Sequence, residues 1–297
     1  MQPARAAGYP RRMSPTFVLV HGAFANSFSF APLQAELALL GHRSLAVDLP
    51  GHGFEATNSA YYQAPQDLDQ LATVPSSIAG VTLADNAAYV IEVLERVKKH
   101  GPVILVGHSR GGITITAVGN ARPDLIDRIV YICAWAPVDL DVGDYYAEPE
   151  MADSEATALA GAMIGNPAEL GALRSNFRTA DADVLAGFKR AFLADGTDEE
   201  FLTFMNTFQL DENLDVGGPA DRAQADTWGT IPKTYVRLSE DTSCPPAMQD
   251  RMIREGNALT PDNPYQVHTL TSSHLLWLAR PRPAAELLAG LSDSPVS

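Results

Sequence analysis

Pro102-Val103-Ile104-Leu105-Val106-Gly107-His108-Ser109-Arg110-Gly111-Gly112 runs from an apolar stretch into a serine flanked by glycines, and Ile113 to Val118 continue it as a helical pattern. A short apolar run bounded by turn residues is a strand buried on both faces, the kind found in a parallel sheet covered by helices. Ser109 then stands at the centre of a G-x-S-x-G nucleophile elbow, where a sharp strand-to-helix turn strains the serine backbone and exposes its hydroxyl. The glycines have a steric reason: neighbouring chain passes close to the turn, and side chains at 107 and 111 would block it.

The same alternation extends on both sides. Thr16 to Val20, Arg43 to Asp48 and Arg128 to Cys133 read as strands, and Phe30 to Leu40 and Leu83 to Lys99 as helices. This βαβα rhythm predicts an α/β fold with a mostly parallel, doubly wound sheet. It breaks from about Pro137 to Arg222, where no strand is evident and acidic helical segments follow one another. Asn166-Pro167-Ala168-Glu169 reads as a helix start with a capping box, and Asp198 to Phe208 as another helix. A helical insert at this point is most simply a cap over the carboxyl edge of the sheet. Strands resume at Lys233 to Leu238 and Tyr265 to Leu270, with a short helix opening at Pro245-Pro246 and a last helix from Leu275 to Leu288. Residues 1–15 are expected as a loose tail, 16–136 and 223–297 as the core, and 137–222 as the cap. Asn58 to Gly80 reads as a long loop near the same edge, functional or mobile.

The chain has 297 residues, 46% of them hydrophobic and 19% charged, enough for a substantial core. Its net charge of -15 argues against nucleic-acid or anionic-membrane partners. Two cysteines, Cys133 and Cys244, make no disulfide framework. The early residues lack the apolar segment of a secretory signal, and no run is long enough to span a bilayer. The expectation is a cytoplasmic protein acting on a small molecule.

A serine hydroxyl needs a base to take its proton and a third group to orient the base. In the order Ser…Asp/Glu…His, with each residue at a strand end, His274 after the last strand fits the base and Asp241 after the penultimate strand fits the acid. Glu240 and Asp139 are the rival acids. His42, His52, His100 and His268 read as surface or loop residues, and His21 and His108 as supports of loop geometry. The backbone N–H groups of Ala23, after the first strand, and of Arg110, after the nucleophile, are placed to stabilise an oxyanion. The Arg110 side chain reads as solvated or cap-contacting. Phe24, Phe28, Trp135 and Leu275 are candidate pocket walls. His42 and His52 flank Asp48 without any established metal spacing, so neither metal nor cofactor is expected.

Phe17-Val18-Leu19-Val20-His21-Gly22-Ala23, Asp48-Leu49-Pro50-Gly51-His52-Gly53, the Ser109 elbow and Leu238-Ser239-Glu240-Asp241…His274 together resemble the α/β-hydrolase superfamily, over nearly the whole chain after the tail. The resemblance is strongest to the branch of plant methylesterases, hydroxynitrile lyases and bacterial carboxylesterases. It extends to Ala172-Leu173-Arg174 and Ala191-Phe192-Leu193-Ala194-Asp195 in the bacterial members. It implies Ser109, Asp241 and His274 as the triad and Ala23 and Arg110 as oxyanion amides. The lyases of this branch carry threonine where this chain has Gly22 and lysine where it has Leu275, so the resemblance is to the esterases. Ser109 also departs from the aspartate nucleophile of dehalogenases and epoxide hydrolases. The implied activity is hydrolysis of small to medium, largely uncharged esters, methyl esters among them, through an acyl-enzyme. Lactone, thioester and carbon–carbon bond hydrolysis, and a ligand-receptor role on the same fold, are the alternatives.

Overall fold

Strand β3, Val103–His108, is buried along its whole length. So are β1, Thr16–Val20, and β4, Arg128–Ile132, and strands buried on both faces require helices on both sides of the sheet. The computed structural model describes residues 14–56 and 58–293. It places these strands with β2 (Arg43–Val47), β7 (Lys233–Leu238) and β8 (Gln266–Leu270) in one six-stranded sheet of order β2-β1-β3-β4-β7-β8. Every pairing in it is parallel. Helix Ala31–Leu39 packs on the C-terminal helix Arg282–Asp293, and helix Leu83–Val97 on Gly111–Ala121.

The strand order reverses direction between β1 and β3, which opens a crevice beyond their carboxyl ends. The register sets Val20 beside Gly107, so the loops that follow, at 21–24 and 108–110, leave the sheet side by side. At the other end, β7 and β8 pair through Leu238 and Leu270, which places the loops bearing Asp241 and His274 next to each other.

Four expectations are corrected. The segment between β4 and β7 is mostly helical, but it holds a short antiparallel ladder of β5 (Leu173–Arg174) and β6 (Asp211–Glu212). Two-residue strands have no periodicity to detect; this one is secured by Arg174, whose guanidinium grips both Asp211 oxygens at 2.6 and 2.7 Å and the carbonyls of Leu71 and Val74. The helix opened by Pro245-Pro246 runs to Leu259, because Met248, Met252, Ile253 and Gly256 lay one continuous face against the core. The last helical stretch is two helices, Leu276–Ala279 and Arg282–Asp293. Pro281 biases Arg280 away from the helical region, and Arg280 sits at φ -121°, ψ 69°. Finally, the stretch 58–80 contains a helix at Leu68–Leu71 and a small core of its own, in which Tyr62 and Leu71 pack on Ile164 and Leu210. Asn166 caps the helix Pro167–Leu170 as expected, by accepting the Ala168 N–H. Residues 1–13 of the expected tail lie outside the described residues. Among those described, no helix is long and apolar enough to cross a membrane.

Candidate active site

Ser109 holds φ +51°, a left-handed conformation that costs a non-glycine residue energy and persists only where its surroundings enforce it. Its carbonyl accepts the N–H groups of Gly112 and Trp135 at 3.1 and 3.0 Å. A Cβ on Gly111 would lie 2.5 Å from the His21 carbonyl oxygen, so the elbow presses directly on the end of β1. A Cβ on Gly22 would lie 2.8 Å from the Ser109 Cβ. The threonine of the lyase pattern has no room here unless the elbow moves.

His274 presents Nδ1 to the Asp241 Oδ2 at 2.6 Å. The other carboxylate oxygen of Asp241 accepts the N–H groups of Ser243 and Cys244 at 2.7 and 2.9 Å, so this buried side chain cannot rotate. Burial above all, reinforced by the Cys244 and Asp241 contacts, pushes the Cys133 thiol well up. It therefore stays protonated and donates to Asp241 Oδ2 at 2.7 Å. The Cys133 Sγ, Asp241 Oδ2 and His274 Nδ1 atoms cluster within 4.8 Å. Two of their three separations are direct hydrogen bonds, closer than ligand atoms stand around an ion. The rival acids lie elsewhere: Glu240 is exposed and meets Ser239, and Asp139 is exposed, with its carbonyl on Arg222. The His274 ring packs on His108, and its carbonyl accepts the Trp277 indole N–H at 3.0 Å.

Ser109, His274, Ala23 and Arg110 all border one cavity of about 620 Å³. Among the described residues, neither the Ala23 nor the Arg110 N–H donates to a protein acceptor. Phe24, Trp135 and Leu275 also line the cavity, joined by Phe177, Phe192 and Phe208 from the segment between β4 and β7. Phe28 does not. In the turn Ser27–Phe30 it faces out, 67% exposed, while Phe30 two residues on turns inward and takes the lining position. That segment is bonded to the loops of the site: the Leu275 N–H donates to the Phe192 carbonyl at 2.9 Å, and the Ser243 hydroxyl to the Ala191 carbonyl at 2.6 Å.

Two residues of the site go unread in the sequence. Glu212 lies in an acidic stretch of the segment between β4 and β7; it is 2% exposed and borders the cavity. It accepts the Phe24 N–H at 2.8 Å and faces Arg110 and His52 at 3.7 and 3.4 Å. Burial would raise its carboxyl, but the Arg110 charge, the His52 bond and the Phe24 N–H together hold it at about 2. His52, expected at the surface or in a loop, lies in the loop after β2 and is fully buried; burial disfavours its proton, but the Glu212 contact outweighs that and raises its pKa. The Arg110 guanidinium donates to Asn213 and Asp215, in the segment between β4 and β7.

His21 supports the loop. Its Nδ1 meets the Gly22 carbonyl at 2.9 Å and its Nε2 accepts the Leu49 N–H at 3.2 Å, so the ring is neutral and a second proton would face a donor. Burial, then the neighbouring His52, lowers it to about 4. The unfolded chain takes up that proton near pH 6.5 and the folded chain does not, so stability falls as pH drops from 6.5 toward 4. His108, lowered for the same reason, adds in the same direction. His52, whose pKa is raised, gains stability over the same fall in pH and offsets part of that loss. Urea unfolding at pH 7 and pH 5 should show a loss of about 2 kcal/mol from His21 alone. A midpoint that holds or rises at pH 5 contradicts the neutral, buried His21.

Comparisons with known proteins bear on the family and the fold. A model described as the alpha/beta hydrolase family matches residues 17–287. Polyneuridine aldehyde esterase of Rauvolfia serpentina is 23% identical over 281 residues, 94% of this chain and 96% of the relative. The pyrethroid hydrolase of Sphingobium wenxiniae is 24% identical over 94% of this chain and 88% of its own length. Among solved structures, a pyrethroid hydrolase from Sphingobium faniae JZ-2 superposes with a TM-score of 0.70 at 22% identity, covering 95% of this chain and 98% of that one. At that identity the superposition shows the shared fold.

Proposed function

The chain belongs to the alpha/beta hydrolase family, and from that premise we propose that it is a serine carboxylic-ester hydrolase working through an acyl-enzyme on neutral esters with an apolar body. The observation that carries this reading is the pinned Asp241–His274 pair at 2.6 Å opening on the same cavity as the strained Ser109. The names of the relatives, esterases and a pyrethroid hydrolase among them, support it.

In this mechanism Asp241 holds the His274 Nδ1 proton, leaving Nε2 free to accept. His274 takes the Ser109 proton as Oγ attacks the ester carbonyl, and the Ala23 and Arg110 N–H groups stabilise the oxyanion. The imidazolium returns its proton to the departing alcohol. Water, deprotonated by His274, attacks the acyl carbon, and as its bond to Oγ breaks the imidazolium returns the proton to Ser109 and the acid departs. Residues 137–222 form the cap, which supplies the outer wall of the pocket. Gly22 and Leu275 offer no hydroxyl or amine to a cyanohydrin, which favours the esterase over the lyase.

The specificity follows from the lining. Phe24, Phe30, Phe177, Phe192 and Phe208 make the cavity apolar, and Arg110 and Glu212, the charges at its edge, face each other. A volume of about 620 Å³ suits a drug-sized ligand. A carboxylate on the acyl chain would enter without a free partner, so its p-nitrophenyl ester should show kcat/KM at least about 100-fold below that of p-nitrophenyl butyrate. Equal rates for p-nitrophenyl butyrate and the p-nitrophenyl half-ester of succinate contradict the neutral-substrate reading.

A further inference from the structure

We propose that Glu212 is a positioning residue for the oxyanion site, its buried carboxylate holding together the two chain segments that present the Ala23 and Arg110 N–H groups. The inference rests on the serine-hydrolase reading above, since an oxyanion site has meaning only for that chemistry.

The two carboxylate oxygens serve different segments. Oε2 accepts the Phe24 N–H at 2.8 Å and faces His52 Nε2 at 3.4 Å. That N–H belongs to the peptide unit joining Ala23 to Phe24, so fixing it restrains rotation of the backbone around Ala23. The restraint acts where it is needed: Phe24 holds φ +56°, a conformation its side chain disfavours. The Phe24 carbonyl is held too, by the Gln209 N–H at 2.7 Å. Oε1 accepts the Asn213 N–H at 2.9 Å and faces Arg110 Nε at 3.7 Å. The Arg110 guanidinium also donates to the Asn213 and Asp215 carbonyls at 3.0 and 2.6 Å. Residues 209–215 therefore brace both sides of the site from the cap, with Glu212 at the centre of the brace. A buried ionic network of this kind adds little net stability compared with apolar side chains of the same shape. What it supplies is a fixed direction for each donor, and donors fixed before the reaction make oxyanion stabilisation strong.

The isosteric variant Glu212→Gln separates charge and acceptor capacity from size. The Phe24 N–H needs an acceptor at one terminal position and the Asn213 N–H needs one at the other. A carboxamide has one oxygen, so either orientation sets an NH2 group against an N–H. We expect kcat/KM for p-nitrophenyl butyrate to fall about 10- to 100-fold, mainly in kcat, because the donors are displaced and not deleted. The readout that separates positioning from general damage is inhibition by an aliphatic trifluoromethyl ketone, whose serine adduct carries an oxyanion. Its Ki should weaken by the same factor as kcat/KM. The Ki of the corresponding methyl carboxamide, which forms no adduct, should not change, with rates normalised to sites titrated by diethyl p-nitrophenyl phosphate. An unchanged kcat/KM, or a loss without weakened ketone inhibition, overturns the proposal. If Glu212→Gln does not fold, Glu212→Asp, which withdraws the charge by one methylene, is read by the same two constants. Wild-type turnover unaffected by Ser109→Ala is a separate outcome: it overturns the hydrolase reading itself.

Discussion

Ser109→Ala should lower p-nitrophenyl butyrate turnover by at least about 10,000-fold, measured as kcat on purified protein. The substitution removes the Oγ proposed to form the acyl bond and little else. Alanine shares the serine Cβ and backbone, so the two bonds to the residue 109 carbonyl remain. The folded state should therefore survive, and KM should move far less than kcat. The variant keeps the Ala23 and Arg110 donors and the His274 base, which are enough for a residual, water-driven rate above background. Activity within tenfold of wild type contradicts Ser109 as nucleophile.

Asp241→Asn should cost about 1,000- to 10,000-fold in kcat with little change in stability. The reason lies in how the carboxylate is held. Oδ1 accepts two N–H groups, from Ser243 and Cys244, so the asparagine must place its own oxygen there. Its NH2 group then takes the Oδ2 position and donates to His274 Nδ1. That bond selects the tautomer with its proton on Nε2, which cannot accept the Ser109 proton. The same NH2 group meets the Cys133 thiol, which can turn its hydrogen away. A pH–rate profile should show the loss across the whole range. Full activity in Asp241→Asn, with a loss instead in Asp139→Asn or Glu240→Gln, contradicts the assignment of the acid.

The legible parts of this fold share a cause. β3 and β4 announce themselves because burial on both faces forces uninterrupted apolar runs. The elbow is legible because a Cβ on Gly111 would lie 2.5 Å from the His21 carbonyl oxygen, and such close packing tolerates few residue types. Asp241 and His274 are found by chain order, each a few residues beyond a recognisable strand. Glu212 and His52 follow no such rule. Their burial depends on each other and on Arg110, residues far apart in the chain, and nothing local marks Glu212 for burial. β5 and β6 are invisible for a similar reason: Arg174 and Asp211 specify them as a pair. Phe28 is the wall candidate in sequence, and only the pitch of the turn at 27–30 gives the inward position to Phe30 instead.

The most direct measurement is covalent trapping. Diethyl p-nitrophenyl phosphate transfers a diethyl phosphoryl group to an activated serine, releases p-nitrophenol, and forms an adduct that resists hydrolysis. The account expects one added group per chain by intact mass, located to the peptide carrying Ser109, with activity lost in proportion to labelling. Labelling should be slowed strongly in Asp241→Asn and absent in Ser109→Ala. Complete inactivation with Ser109 unmodified, or ester turnover that continues after Ser109 is fully labelled, would contradict it.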